Sequence, residues 1–250
     1  MKKSIKEQEN GREVRVLRLP YFNGDGKGAV TVALSHLESR TPFAVFTPGA
    51  TVAARAERDP ALLALLKRGD LLLPDGYGCL LAARLCGKRL STRIAGIDFA
   101  EALFEEAPPL SRVFLYGARK GVARRAAARL REKYPTLIFA EADGYGDDPF
   151  ERVRAFCPHI VCVCLGAERQ EAWICAHKGE IGGVHIGLGG SLDVWAGEVR
   201  RAPLLIQRTG LEWLWRTVKE PRRLPRLFPL PLYFGKCLLS RCCSKRPEKE

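Results

Sequence analysis

The sequence predicts an α/β fold: a Rossmann-like, mainly parallel sheet flanked by helices on both faces, with a basic amphipathic appendage at the C-terminus. Three observations carry that expectation. Short apolar runs alternate with amphipathic runs in a βα rhythm through most of the chain. The segment Ser111–Glu141 reads as a buried strand (RVFLYG), a tight turn (GARKG), an Ala-rich helix and a second strand (TLIFAE). From Gly197 onward the texture changes to Arg interleaved with Trp, Leu, Phe and Pro. A boundary near residue 197 follows, with an α/β domain over 1–196 and the appendage over 197–250.

Taken in order, the strands expected are Val14–Leu19, Phe43–Thr47, Leu71–Leu73, Arg112–Tyr116, Leu137–Glu141, Ile160–Leu165 and Val184–Gly187. Between them fall helices at Lys27–Leu37, Ala50–Arg58, Pro60–Lys67, Gly78–Leu85, Phe99–Ala107, Gly121–Tyr134, Pro149–Cys157 and Arg169–His177. Runs bounded by Gly and Asp with helices between them imply parallel strands buried on both sides. The first dozen residues are polar and expected to fray. In the appendage, Leu211, Trp215 and Val218 share one helical face, with Arg208, Arg216 and Lys219 around it. That pattern fits an interfacial anchor, and equally a terminal helix packing its tryptophans into the core.

Composition narrows the classes. At 250 residues and 46% apolar, the chain can build its core without disulfides or metals. No signal-length apolar run follows the basic start, and no stretch approaches the roughly 18 apolar residues of a membrane span. The nine cysteines lack zinc-ribbon spacing and read as reduced and structural. Cys162 and Cys164 fall on one face of a buried strand if that strand alternates. The net charge of +13 points to an anionic partner. Most of it lies late, with thirteen Lys or Arg against five Glu between Glu198 and Glu250. An RRM, KH or helix-turn-helix signature does not accompany it, so an anionic membrane surface is the expected partner rather than nucleic acid.

Residues that could carry chemistry gather at strand ends, where open α/β sheets bind ligands. Asp75, in LLLPDGYG, directly follows a buried strand; it could accept a proton from an attacking hydroxyl, or simply cap the next helix. Thr47 could hold a substrate group or cap the helix from Ala50. Arg93 could bind phosphate with two donors, and Asp98 reads more readily as a helix cap. The turn from Gly117 to Gly121 is a weak phosphate-loop candidate, since backbone N–H groups at a helix N-terminus attract anions. Gly166 ends another strand just before Gln170, and Gly187, Gly189 and Gly190 form a third glycine turn. Metal-ligand spacing is absent, and the adjacent Asp147 and Asp148 do not form a DxD pair after a strand. The expectation is an enzyme without cofactor or metal, in which Arg and Lys stabilise the leaving group.

Taken together these segments resemble the WecG/TagA/CpsF family of bacterial glycosyltransferases. The landmarks are TPGA, DPALLALLKRGDLLLPDGYGCLLAARLCG, RIAGIDF, VFLYGARKGVARRAAARLREKYP, VCLGAERQEAWI, GLGGSLDVWAGEVRRAPLLIQRTGLEWLWR and EPRR, from about Thr47 to about Arg223. The resemblance implies a GT-E-like fold and an inverting, metal-independent enzyme. It would move N-acetylmannosamine or a related sugar from a UDP-sugar donor onto a lipid-linked saccharide acceptor. Asp75 matches the family's proposed base, and Thr47, Arg93 and Gln170 match its pocket residues. The arginine-rich tail, here Arg200, Arg201, Arg208, Arg216, Arg222 and Arg223, is implied to touch the inner face of the plasma membrane and complete the site. Two landmarks depart from the pattern: Gly49 stands where Asn is usual, with no following Glu near Ala50–Val52, and GAERQE replaces GSPKQE. A nicotinamide-dependent oxidoreductase is a second reading of the βαβ unit, weakened by the lack of GxGxxG. Self-association through the apolar tail is a further expectation until membrane covers it.

Overall fold

A computed structural model of the chain describes residues 13–203, 206, 215, 224, 225 and 227–243. Arg208, Arg216, Arg222 and Arg223 lie outside these residues, as does the segment around Leu211 and Val218 apart from Trp215.

The central sheet has six parallel strands: β3 (Phe43–Phe46), β4 (Leu71–Leu72), β5 (Arg112–Gly117), β6 (Ile138–Ala142), β7 (Ile160–Cys164) and β8 (Val184–Gly187). Their order across the sheet is β4-β3-β8-β7-β5-β6. The expected rhythm therefore holds within one or two residues at almost every boundary. β7 is buried along its whole length. Its alternation sends Cys162 and Cys164 into one core layer and Val161 and Val163 into the other. Both thiols are free.

One layer of helices comprises α1 (Gly26–Ser39), α5 (Gly96–Glu106), α6 (Val122–Lys133) and the short α9 (Ser191–Trp195). The other comprises α2 (Ala50–Ala56), α3 (Pro60–Leu66), α4 (Tyr77–Leu85), α7 (Phe150–Phe156) and α8 (Arg169–Ile181). α6 shows how local sequence makes these elements. Val122, Ala123, Ala126, Ala127 and Leu130 recur at helical spacing and are buried, while Arg131 and Lys133 occupy the last turn, where cations favour the helix dipole. At the far end of that layer Phe104 meets Tyr134, Phe139 and Trp195 with ring centroids 5.6, 5.9 and 5.8 Å away.

Two elements differ from expectation. The single strand expected at Val14–Leu19 is instead an antiparallel hairpin of β1 (Glu13–Val16) and β2 (Leu19–Phe22), separate from the central sheet. The reversal falls at Leu17, a non-glycine residue with φ of 50°, so no Gly or Asn marked the turn. The tail also contains a helix, α10 (Leu230–Cys243), which buries Tyr233 and Cys237 against α4 and α2. Pro229 and Pro231 hid it, although proline is tolerated in a first helical turn. Among the described residues no helix is long and apolar enough to cross a membrane.

His185, on β8 between Ala44 of β3 and Val161 of β7, is fully buried in the sheet. Its Nε2 donates to the Gly182 carbonyl at 2.9 Å, leaving Nδ1 buried without a partner. Burial pushes its pKa down to about 4, against an opposing pull from that hydrogen bond. The unfolded ring gains its proton near pH 6.5, so the folded state is favoured fully above that value and loses stability as pH falls toward 4. Urea unfolding followed downward from about pH 7 should lose up to about 1.4 kcal/mol per unit below pH 6.5 from this residue. His185→Gln should flatten the slope; an unchanged slope would place the titration elsewhere.

Candidate active site

The carboxyl ends of β4, β3 and β8 open into one cleft of about 710 Å³. Its polar lining comes from the turns after those strands: Thr47 after β3, Asp75 after β4, and Gly190 with Ser191 after β8. Arg93, just before α5, and Arg201, after α9, add positive charge.

Each of these turns is held from behind. Thr47 Oγ1 donates to the Gly187 carbonyl at 2.8 Å, tying the ends of β3 and β8 together. It does not cap α2, whose N-cap is Gly49 without a side-chain bond. The Pro48 carbonyl accepts from the Tyr21 hydroxyl at 3.1 Å and from Cys79 Sγ at 3.4 Å, so the hairpin braces the turn that carries Thr47. Burial pushes the Cys79 thiol up to about 12, which keeps it a neutral packing group. At the Asp75 turn, Gly76 takes the N-cap of α4 with φ of 96°, a backbone state that suits glycine. Asp75 precedes that N-cap position. Asp75 is half-buried at the cleft wall.

The turns approach one another through atoms that only small residues leave free. A Cβ on Gly49 would stand 3.0 Å from the Asp75 carbonyl, and one on Gly78 would stand 2.6 Å from the Ala50 methyl. Likewise, a Cβ on Gly96 would meet the Thr47 side chain at 2.9 Å. The separation of Thr47 from Asp75 is therefore set by close approaches at glycines, to the Asp75 carbonyl, the Ala50 methyl and the Thr47 side chain.

Other residues singled out in the sequence take different places. Gln170 is buried; its Oε1 accepts from Gly189 N at 2.9 Å and its Nε2 donates to Glu171 at 2.9 Å. It thus braces the Gly187–Gly190 turn from beneath. Burial raises the Glu171 pKa, despite hydrogen bonds that favour its charged form. Asp98 pairs with Arg201 through both guanidinium nitrogens, at 2.5 and 3.2 Å, and lies in the first turn of α5 rather than capping it. Arg200 is exposed beside the cleft-lining Arg201. Gly117, Gly121 and Gly166 sit at the ends of β5 and β7, outside the residues that line the cleft. Gly117 packs against the Cys164 carbonyl, and Gly121 N donates to the Asp143 carboxylate at 3.0 Å, so one of the donors expected to meet phosphate is already engaged.

Sequence reasoning missed the opposite wall. Tyr77, Leu81 and Arg84 follow one face of α4 at spacings of four and three, a periodicity visible in YGCLLAAR. Arg93 lies over the Tyr77 ring, 5.5 Å from its centroid. Leu227, Leu230 and Phe234 of the tail complete that wall.

A parallel α/β sheet with a cleft of arginines, a carboxylate and a threonine at its carboxyl edge defines a Rossmann-like protein with its cleft where such sheets bind ligands. The model of the glycosyl transferase WecG/TagA/CpsF family matches residues 14–247, and the chain belongs to that family. It is 35% identical over 230 residues to an N-acetylglucosaminyldiphosphoundecaprenol N-acetyl-beta-D-mannosaminyltransferase of Bacillus spizizenii, covering 87% of this chain and 89% of the relative. A protein of the same description from Bacillus subtilis is 33% identical over 222 residues, covering 86% and 87%. Another from Staphylococcus aureus strain MW2 is 29% identical over 248 residues, covering 93% and 95%.

If contact between the turns sets the site, Gly78→Ala should lower transfer activity, with a stability cost of about 1–3 kcal/mol from overpacking. Adding Ala50→Gly returns the methyl's space and should restore activity, apart from about 1 kcal/mol of stability lost to glycine in α2. A double variant as slow as the single one would show that this contact does not position the site.

Proposed function

We propose that the protein transfers N-acetylmannosamine, a related hexosamine or a hexose from a UDP-sugar to polyprenyl-diphosphate-linked N-acetylglucosamine during synthesis of a cell-surface polysaccharide. The observation that carries this reading is the cleft at the ends of β4, β3 and β8, which Asp75, Arg93 and Arg201 all line, in a member of a glycosyltransferase family. The names of the relatives supply the substrate classes.

In this mechanism Asp75 accepts the proton of an acceptor hydroxyl. The hydroxyl oxygen forms a bond to the anomeric carbon as the bond from that carbon to the UDP oxygen breaks on the opposite face, inverting the centre. UDP leaves with the electron pair. Arg84, Arg93 and Arg201 meet the developing diphosphate charge, which provides the electrostatic stabilisation of such a step without a divalent ion. Thr47 orients a sugar hydroxyl, and Gln170 acts through the Gly187–Gly190 turn it braces. The nucleoside extends toward the neighbouring strand ends, over Gly117, Gly121 and Gly166. Arg200, Arg208, Arg216, Arg222 and Arg223 are assigned to substrate or lipid phosphates. Gly49 lines the cleft without the side-chain amide of the usual Asn, which favours a different donor.

The division into a transferase domain over 1–196 and an appendage over 197–250 belongs to the same proposal, with α10 as the part of the appendage folded back against the body. Leu232 and Leu239 lie seven residues apart on the outward face of α10 at 66% and 65% exposure, with Lys236 exposed between them. That stripe and the basic tail suit peripheral attachment to the inner face of the plasma membrane, and the same stripe suits self-association in its absence.

Two measurements test this reading. Asp75→Asn should lower acceptor-dependent UDP release by about 10²–10⁴ in rate, in buffer containing a chelator. Undiminished release would remove Asp75 from the chemistry, and release that needs added divalent ion would remove the metal-free mechanism. In flotation with anionic vesicles, Leu232→Asp combined with Leu239→Asp should reduce bound protein, and added salt should weaken the remainder by screening. Binding indifferent to both would rule out attachment through this surface.

A further inference from the structure

The cleft is amphipathic, and its two halves lead to different places. Thr47, Asp75, Arg93 and Arg201 form the polar half at the strand ends, while Leu80, Leu81, Leu227, Leu230 and Phe234 form an apolar wall. Apart from Leu227, that wall belongs to two helices that run alongside each other. α4 and α10 both begin at the cleft, and their far ends stay together, with Ser240 Oγ 3.5 Å from Cys86 Sγ and the Arg241 side chain packed beside Gly87. Tyr233 and Cys237 close the base of the gap between them. Leu238 stands one helical turn beyond Phe234 on the same face of α10, and Leu81 faces outward from α4. Both leucines are about half exposed, at 49% and 46%. From Leu230 to Leu238 the helix advances about 12 Å.

We propose that this furrow between α4 and α10 is the seat of the proximal hydrocarbon chain of the acceptor, leading it from the cleft out along α10. The inference rests on the functional reading above, and it names a part of the acceptor that the polar residues cannot recognise. A molecule with a sugar-diphosphate head and an isoprenoid tail has two halves, and the cleft offers a surface for each. A soluble sugar acceptor would leave the apolar wall against water. The furrow makes the enzyme select acceptors by their chain even where no bilayer is present, which separates it from membrane attachment through Leu232 and Leu239. Every methylene taken out of water contributes a factor of about four in affinity, so a few contacts suffice for strong selection.

The test uses the full chain without vesicles or detergent and two soluble acceptors, N-acetylglucosaminyl diphosphate carrying a methyl or a farnesyl group. The quantity read is the ratio of kcat/KM for the farnesyl over the methyl acceptor. For the unaltered protein that ratio should exceed about tenfold. Leu81→Asp and Leu238→Asp should each bring it down severalfold, chiefly through KM for the farnesyl acceptor. Leu110→Asp, at a 71% exposed position before β5 and so at the opposite edge of the sheet, should leave it unchanged. Because the two furrow leucines are partly exposed, their variants should keep the thermal midpoint of the parent, and that is measured alongside. A ratio near one in the unaltered protein, a ratio retained in both furrow variants, or an equal fall in Leu110→Asp overturns the furrow while leaving transfer itself intact. Absence of transfer to either acceptor contradicts the functional reading and removes this inference with it.

Discussion

The site depends on the meeting of three strand ends through one side-chain hydrogen bond and close approaches at glycines. β3, β4 and β8 are parallel neighbours, so their carboxyl ends fall on one edge of the sheet. Parallel pairing alone leaves the turns free to splay. Here the Thr47–Gly187 hydrogen bond joins two of them, and the approach of Gly49 and Gly78 to the neighbouring turn joins the third. The N-terminal hairpin, outside the sheet, contributes Tyr21 to the Pro48 carbonyl behind Thr47. Because interiors pack densely, a methyl group inserted at such a contact displaces a turn rather than being absorbed.

That arrangement gives the cleft its electrostatic character. Asp75 shares the cleft with Arg84, Arg93 and Arg201, and Arg201 is also paired with Asp98. Salt bridges at this exposure are weak in net energy, so the Arg201–Asp98 pair serves to place a guanidinium at the cleft edge more than to stabilise the fold. Part of the opposite wall is apolar because α10 returns from the tail to lie against α4 and brings Leu230 and Phe234 to the cleft. The tail thus contributes structure to the cleft itself, in addition to any surface it offers a membrane.

Much of the fold was legible in the sequence because parallel strands buried on both faces leave short, almost uninterrupted apolar runs such as Ile160–Leu165. The hairpin was not, because its reversal at Leu17 uses an ordinary residue in a left-handed conformation that carries no local signal. Asp75 and Thr47 could be located from their positions after apolar runs, and Arg93 from the segment STRIAGID. Gln170 could be located as well, but whether its amide faced ligand or protein depended on the Gly187–Gly190 turn that it contacts from elsewhere in the chain. The turn at Gly117–Gly121 looked like a phosphate loop by composition. Only the fold brings Asp143, from the end of the next strand, to one of its donors. The α10 wall was hidden by prolines at its start and by a charge pattern that drew attention to the arginines around it.

The most direct test of the account is a crystal structure of the protein with a UDP-sugar analogue whose anomeric carbon cannot react. The account predicts the diphosphate between Arg84, Arg93 and Arg201, with the anomeric carbon on the Asp75 side of the cleft. A sugar lodged instead over the ends of β5 and β6, with Asp75 out of reach, would contradict it.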